Sequence, residues 1–117
     1  MLIRDQFLEC MSHAASTVSI VTTNGPLGRA GVTVSAMCSV SADPPSLLVC
    51  VNQTAKSCEA IRGNGVLCVN VLRDDQFYIS DTFAGVIETE DGDKFSCATW
   101  KTNKTGAPVL DLSLIHI

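Results

Sequence analysis

Residues 28–52, GRAGVTVSAMCSVSADPPSLLVCVN, constrain this chain more than any other stretch. Small and hydroxyl-bearing residues (Gly31, Thr33, Ser35, Ala36) run through a strand-like segment. A Ser-Ala-Asp-Pro-Pro turn follows, and an apolar strand over 46–51 ends at Asn52. A core strand ordinarily carries bulky β-branched residues on its inner face, because each buried methylene adds stability and each gap subtracts from it. The space left beside this one reads as room for a flat ligand.

The chain has 117 residues, enough for one domain over 1–117 with its own core. Hydrophobic residues make up 46% and charged residues 17%, which places it among globular proteins. Its net charge is −4 and its basic residues are scattered, which argues against a nucleic-acid surface built on grouped Lys and Arg. No run approaches the ~20 apolar residues of a membrane helix. Arg4, Asp5 and Glu9 stand where a signal peptide needs an apolar run, so no membrane contact and a cytoplasmic location are expected. The six cysteines (Cys10, Cys38, Cys50, Cys58, Cys68, Cys97) include no C-x-x-C pair; the expectation is buried structural thiols and no metal.

In chain order, Phe7, Leu8 and Met11 share one face at helical spacing, which predicts an amphipathic helix over 4–14 that covers something. Residues 17–23 are β-branched and strand-like, and Asn24-Gly25-Pro26 marks a turn. The glycines at 25, 28 and 31 match neither the dinucleotide fingerprint nor a Walker loop; Gly31 reads as a bulge or a close approach. Residues 29–41 are extended, and the apolar strand at 46–51 reads as central. Thr54 is placed to cap a helix through Ile61 that Gly63 and Asn64-Gly65 end. Residues 66–72 form a buried strand, Asp74 and Asp75 start a further helix that stops near Gly85, and residues 88–93 form a solvated acidic linker. A strand over 95–100 with aromatic residues at both ends is expected next, then a polar turn over 102–108.

Thr54, Lys56 and Ser57 fall at a helix start, where free N–H groups and the helix dipole favour an anion such as phosphate; a short solvated helix explains the same residues. Backbone groups along Thr33, Val34, Ser35 and Ala36 are able to pair with the polar rim of a flat heterocycle, and a solvent-exposed strand explains these. His13 and His116, one on a helix and one near the terminus, give no nucleophile its base. Zinc-ligand spacing is absent, and Asp74 and Asp75 point apart on a helix. No catalytic side chain or metal is assigned. What survives is chemistry done by a cofactor that the protein holds.

The blocks GRAGVTVSAMCSV (28–40), DPPSLLVCVN (43–52), LCVNVL (67–72), Phe83-Ala-Gly and GAPVL (106–110), together with Phe7, Met11 and VSIVTT (18–23), resemble the flavin reductase family with the FMN-binding split barrel. The nearest likeness is to short-chain NAD(P)H:flavin oxidoreductases that accompany two-component monooxygenases of the 4-hydroxyphenylacetate or pyrimidine type. The resemblance implies a mainly β fold, a Greek-key barrel with flanking α-helices, and a homodimer. It also implies FMN (or FAD) as cofactor, NAD(P)H as co-substrate, and a separate flavin-dependent oxygenase component that receives reduced flavin. On that pattern Thr33, Val34, Ser35 and Ala36 line the isoalloxazine ring, while Cys50, Val51, Asn52, Thr54, Ala55, Lys56 and Ser57 follow the ribityl chain and phosphate.

Family members continue with strands that close the barrel and with a His-containing segment associated with the nicotinamide site. This chain ends Asp111-Leu-Ser-Leu-Ile-His-Ile, outside that pattern, and His116 takes no role from it. The expectation is therefore a split barrel incomplete at the C-terminus, with 111–117 as a non-family tail and weak or absent turnover. A flavin carrier, an electron-transfer module or an inactive fragment is the alternative function.

Overall fold

The computed structural model describes residues 3–117. Its centre is β1 (Ser19–Thr23), buried along its whole length on both faces. Antiparallel to it lie β2 (Ala30–Val34) on one side and β5 (Cys68–Val71) on the other, and β8 (Ile115–His116) extends the sheet beyond β5 to give the order β2-β1-β5-β8. The Asn24-Gly25-Pro26 turn joins β1 to β2, with the Gly28 N–H donated to the Gly25 carbonyl at 2.9 Å. Gly28 has φ +82°, a conformation that glycine adopts freely. Inward residues of both faces make two apolar clusters. Val21, Val34, Val69 and Val71 fill one; Ile20, Ile79, Phe83, Phe95 and Leu110 fill the other. Each such side chain contributes roughly 1.5–3 kcal/mol when fully buried.

Asn70 fastens the sheet to β7 (Pro108–Leu110). Its Nδ2 donates to the Ile20 carbonyl at 3.1 Å and to Thr22 Oγ1 at 3.3 Å, and its Oδ1 accepts from the Leu110 N–H at 2.8 Å. Every polar atom of this fully buried side chain is thereby used. Among the described residues, strand β6 (Trp100–Thr102) pairs only with β7 and β3 (Met37–Ala42) only with β4 (Pro45–Val49), and these form no closed barrel.

Four expectations are corrected here. The extended run 29–41 divides into β2 and β3 at exposed Ser35 and Ala36, where the chain leaves one sheet for another. Strand β4 is an outer hairpin strand and not central; Leu47 and Val49 on one side reach the valine cluster, and Leu48 on the other is exposed. Residues 94–97 form a 3-10 turn in place of a strand, because the Asp93 side chain accepts the Phe95 N–H at 3.0 Å and winds the chain. Cys10, Cys38 and Cys50 are exposed, so only Cys58 and Cys68 are buried thiols.

Three helices flank the sheets: α1 (Ile3–Ser12), α2 (Lys56–Asn64) and α3 (Phe77–Phe83). Helix α1 forms at its expected place, yet none of its residues is buried, since no other described segment packs on its apolar face. Helix α2 ends at Gly65, whose φ of +73° lets its N–H return to the Ile61 carbonyl. A 3-10 turn at Asp74–Gln76 leads into α3, with the Gln76 side chain accepting the Arg73 N–H at 2.9 Å. No helix among the described residues is long and apolar enough to cross a membrane.

Candidate functional site

An open cleft of about 760 Å³ lies between β2, the start of α2, the end of α3 and residues 92–95. That volume is within the range of small-molecule and cofactor sites, ~300–1,000 Å³. One wall is the β2 stretch Arg29, Ala30, Gly31, Val32 and Thr33. Gly31 leaves this wall shallow because a larger residue has no room. A Cβ built there meets Phe83 Cε1 at 2.6 Å, and the Phe83 ring is pinned edge-on by Phe95 (centroids 5.0 Å apart) and by Trp100 (5.6 Å). The expected close approach at Gly31 is thus an approach by an aromatic ring from α3. Thr33 keeps its hydroxyl on α3, donating to the Ser80 carbonyl at 2.7 Å.

The opposite side holds Ala55, Lys56 and Ser57. Ala55, not Thr54, is the N-cap of α2 and makes no side-chain cap; the Thr54 N–H and hydroxyl both turn back to Asn52 Oδ1, at 3.0 and 2.9 Å. The first N–H groups of α2 are therefore left without a side-chain acceptor beside the Lys56 ammonium, which makes no ion pair among the described residues. Such an end attracts an anion.

At the third side Arg29 Nη2 meets Asp93 Oδ2 at 2.7 Å, and the guanidinium carbon stands 4.4 Å from the centre of the Phe95 ring. The acidic segment 88–93 is thus not merely solvated. Asp91 accepts the Asp93 N–H at 3.0 Å, and that bond, ahead of the Ser96 hydroxyl, holds its carboxyl below the ordinary value of 3.8. Burial pushes the Cys97 thiol up, beside the same loop.

Of the residues singled out from sequence, Thr33, Ala55, Lys56 and Ser57 line the cleft. Val34 and Val51 turn their side chains into the valine cluster. Ser35 and Ala36 are exposed at the β2–β3 bend, and the Cys50 N–H closes the hairpin on the Ala36 carbonyl at 3.0 Å. Asn52 and Thr54 are exposed in the turn before α2. Sequence reading did not bring Arg29, Phe83, Asp93, Lys94 or Phe95 to the site. Two signals existed: an arginine at the edge of a small-residue strand facing an acidic run, and a glycine that calls for a bulky partner from elsewhere.

The donor set suits a flat, phosphorylated ligand. Backbone edges and a glycine line one wall, an aromatic base lies beneath, and a helix start with a free ammonium stands at one end. Residues 11–117 match the family described as the flavin reductase like domain. The FMN reductase (NADH) RutF of Stutzerimonas stutzeri is 44% identical over 110 residues, covering 94% of this chain and 62% of that protein. A candidate flavin reductase from Haemophilus somnus superimposes with a TM-score of 0.88 at 43% identity, over 98% of this chain and 72% of that one. BorF, the flavin reductase component of a bacterial two-component tryptophan halogenase, superimposes at 0.84 with 29% identity, over 97% and 71%. The chain thus spans less than two thirds of the curated relative's length.

Proposed function

The chain belongs to the flavin reductase like domain family, and on that premise we propose that it binds FMN, or FAD, in this cleft and reduces it with NADH or NADPH. The observation that carries the reading is the single cleft in which the free start of α2, with Lys56 and Ser57, faces the glycine-bearing edge of β2.

When bound, the flavin supplies the hydride-accepting chemistry, so the protein contributes no nucleophile or metal. Its residues have three tasks. The N–H groups of α2 and the Lys56 ammonium hold the phosphate, against which charge-assisted bonds are the strong ones. The β2 edge up to Thr33, continuing past Ser35 and Ala36, orients the ring through backbone groups, and Val34 and Val51 act there only by backbone because their side chains serve the core. Residues 50–54 carry the connecting polyol chain across from the hairpin to α2. Phe83 and Phe95 exclude water from the far wall.

A homodimer is part of the proposal. It is supported by the exposed apolar face of α1 (Ile3, Phe7, Leu8, Met11) and by Val40 and Leu48 on the β3–β4 hairpin, a spread of large apolar surface that calls for cover. Transfer of reduced flavin to a separate oxygenase component is supported by the two-component role in which BorF is described. A cytoplasmic setting accords with six unpaired cysteines.

The test is titration with FMN and with riboflavin, followed by addition of NADH or NADPH while the nicotinamide absorbance is read. Saturable FMN binding, and nicotinamide consumption dependent on added flavin, are expected. Lys56→Ala should weaken FMN about tenfold and leave riboflavin within about twofold, because only FMN carries the anion that Lys56 faces. Equal loss for both ligands refutes the assignment of the phosphate end. Binding without nicotinamide consumption makes the chain a flavin carrier.

A further inference from the structure

We propose that Arg29 and Asp93 form a strap that closes residues 91–96 onto β2 and sets how long a flavin stays in the cleft, a proposal that rests on the flavin reading above. Of the four ion pairs among the described residues, Arg4–Asp5 and Arg73–Asp75 join near neighbours, and Lys101–Asp111 joins the paired ends of β6 and β7. Arg29–Asp93 alone joins two walls of the cleft, from residues 64 apart in sequence.

Asp93 is the pin of this strap. Its Oδ1 accepts the Phe95 N–H at 3.0 Å, which shapes the loop, and its Oδ2 takes Arg29 at 2.7 Å, which fastens the loop to the strand. Asp91 stiffens the loop from within by accepting the Asp93 N–H and the Ser96 hydroxyl, at 3.0 and 3.1 Å. Fastening fixes the cleft wall as well, because the guanidinium lies on Phe95 and Phe95 abuts Phe83, which lines the same cleft. Both side chains of the pair are 45% exposed. Ion pairs that open to water contribute little to stability and weaken further in salt. This pair is therefore suited to frequent opening, as a ligand that is loaded and released requires.

The molecule carries its own reporter. Trp100 is the only tryptophan, and its Nε1 donates to the Phe95 carbonyl at 2.9 Å, so its emission follows the loop. The experiment compares the unaltered chain with Asp93→Asn, Arg29→Gln and the double variant, reading Trp100 emission against sodium chloride concentration and FMN release by stopped flow. Asn keeps the oxygen that accepts from Phe95, so Asp93→Asn loses the charge pair, while Arg29→Gln loses the pair together with the guanidinium's contact on the Phe95 ring. Each single variant should release FMN about two- to fivefold faster and lose the salt response of Trp100. The double variant should match either single within about twofold, since a pair is broken only once. Release rates that multiply in the double variant overturn the strap. So does slower release from Asp93→Asn, which would mean that a freed Arg29 holds the phosphate itself. If the unaltered chain binds no FMN, the proposed function fails by itself, and the strap then stands or falls on whether the Trp100 salt response disappears in the single variants.

Discussion

Replacing Asn70 with alanine should cost about 3 kcal/mol of folding stability. The side chain is fully buried between β1 and β7, and three polar groups depend on it: the Ile20 carbonyl, the Thr22 hydroxyl and the Leu110 N–H. Thr22 keeps other acceptors in the Cys68 and Pro108 carbonyls, so its loss is small. The Leu110 N–H keeps none among its recorded bonds and is sealed from water, which costs roughly 1–3 kcal/mol. The lost donor to Ile20 and the space left by the amide add about 1 kcal/mol more. With a urea slope of about 1.5 kcal/mol per molar, a loss of 3 kcal/mol lowers the unfolding midpoint by ~2 M. Far-UV circular dichroism in a urea series reads this directly. Asn103→Ala is the control, since that residue is exposed and should move the midpoint by less than ~0.3 M. A midpoint for Asn70→Ala within ~0.3 M of the unaltered chain would refute the claim that this amide ties β7 to the sheet.

Gly31→Ala should both destabilise the fold by about 1–3 kcal/mol and weaken FMN binding, because the new methyl group displaces a Phe83 ring that Phe95 and Trp100 hold in place; paired urea and FMN titrations check the two effects. Ser19 has a buried hydroxyl without a hydrogen-bond partner among the described residues, so Ser19→Ala should leave stability unchanged or raise it by about 1 kcal/mol in the same urea assay. Burial raises the Cys68 thiol above its ordinary 9.0, against a smaller lowering by the Ile117 backbone. The unfolded chain therefore gives up this proton first, and its contribution to stability is full below pH 9.0 and lost as pH rises beyond it. Cys68→Ala should make the fall in stability between pH 9 and 10.5 shallower, by no more than ~1.4 kcal/mol per pH unit, and an unchanged slope contradicts the assignment.

The elements read correctly from sequence were those whose own residues decide them. Strand β1 declares itself by β-branched residues, and α2 and α3 by the glycines that end them, Gly65 after one and Gly85 after the other. The misreadings arose where a partner decides. The apolar run at 46–51 has the pattern of a doubly covered strand, but β4 pairs with β3 alone among the described strands, and only its Leu47 and Val49 side reaches the valine cluster. The aromatic residues at 95 and 100 imitate strand spacing, whereas the Phe95 N–H donated to the Asp93 carboxylate and the Ser96 N–H donated to the Asp93 carbonyl set the local turn. Thr54 looked like a cap until Asn52 claimed its hydroxyl. Part of the cleft was legible for the same reason: Thr33 lies on the stretch where small residues leave room, and residues 55–57 open the helix that Gly65 ends. Phe83 and residues 92–95 come from distant parts of the chain, and no local rule foretells which ring will fill the space beside Gly31.

Because the cleft draws its walls from residues 29–33, 55–57, 83–84 and 92–95, it does not exist until the last of these has docked. A partly folded chain with only β1, β2 and α2 in place has the phosphate end and no floor. Ligand therefore has nothing to accelerate on the way in, and what it holds together must come apart before the chain does. Flavin should act on the unfolding rate, lengthening the life of the native state while leaving the folding rate as it was.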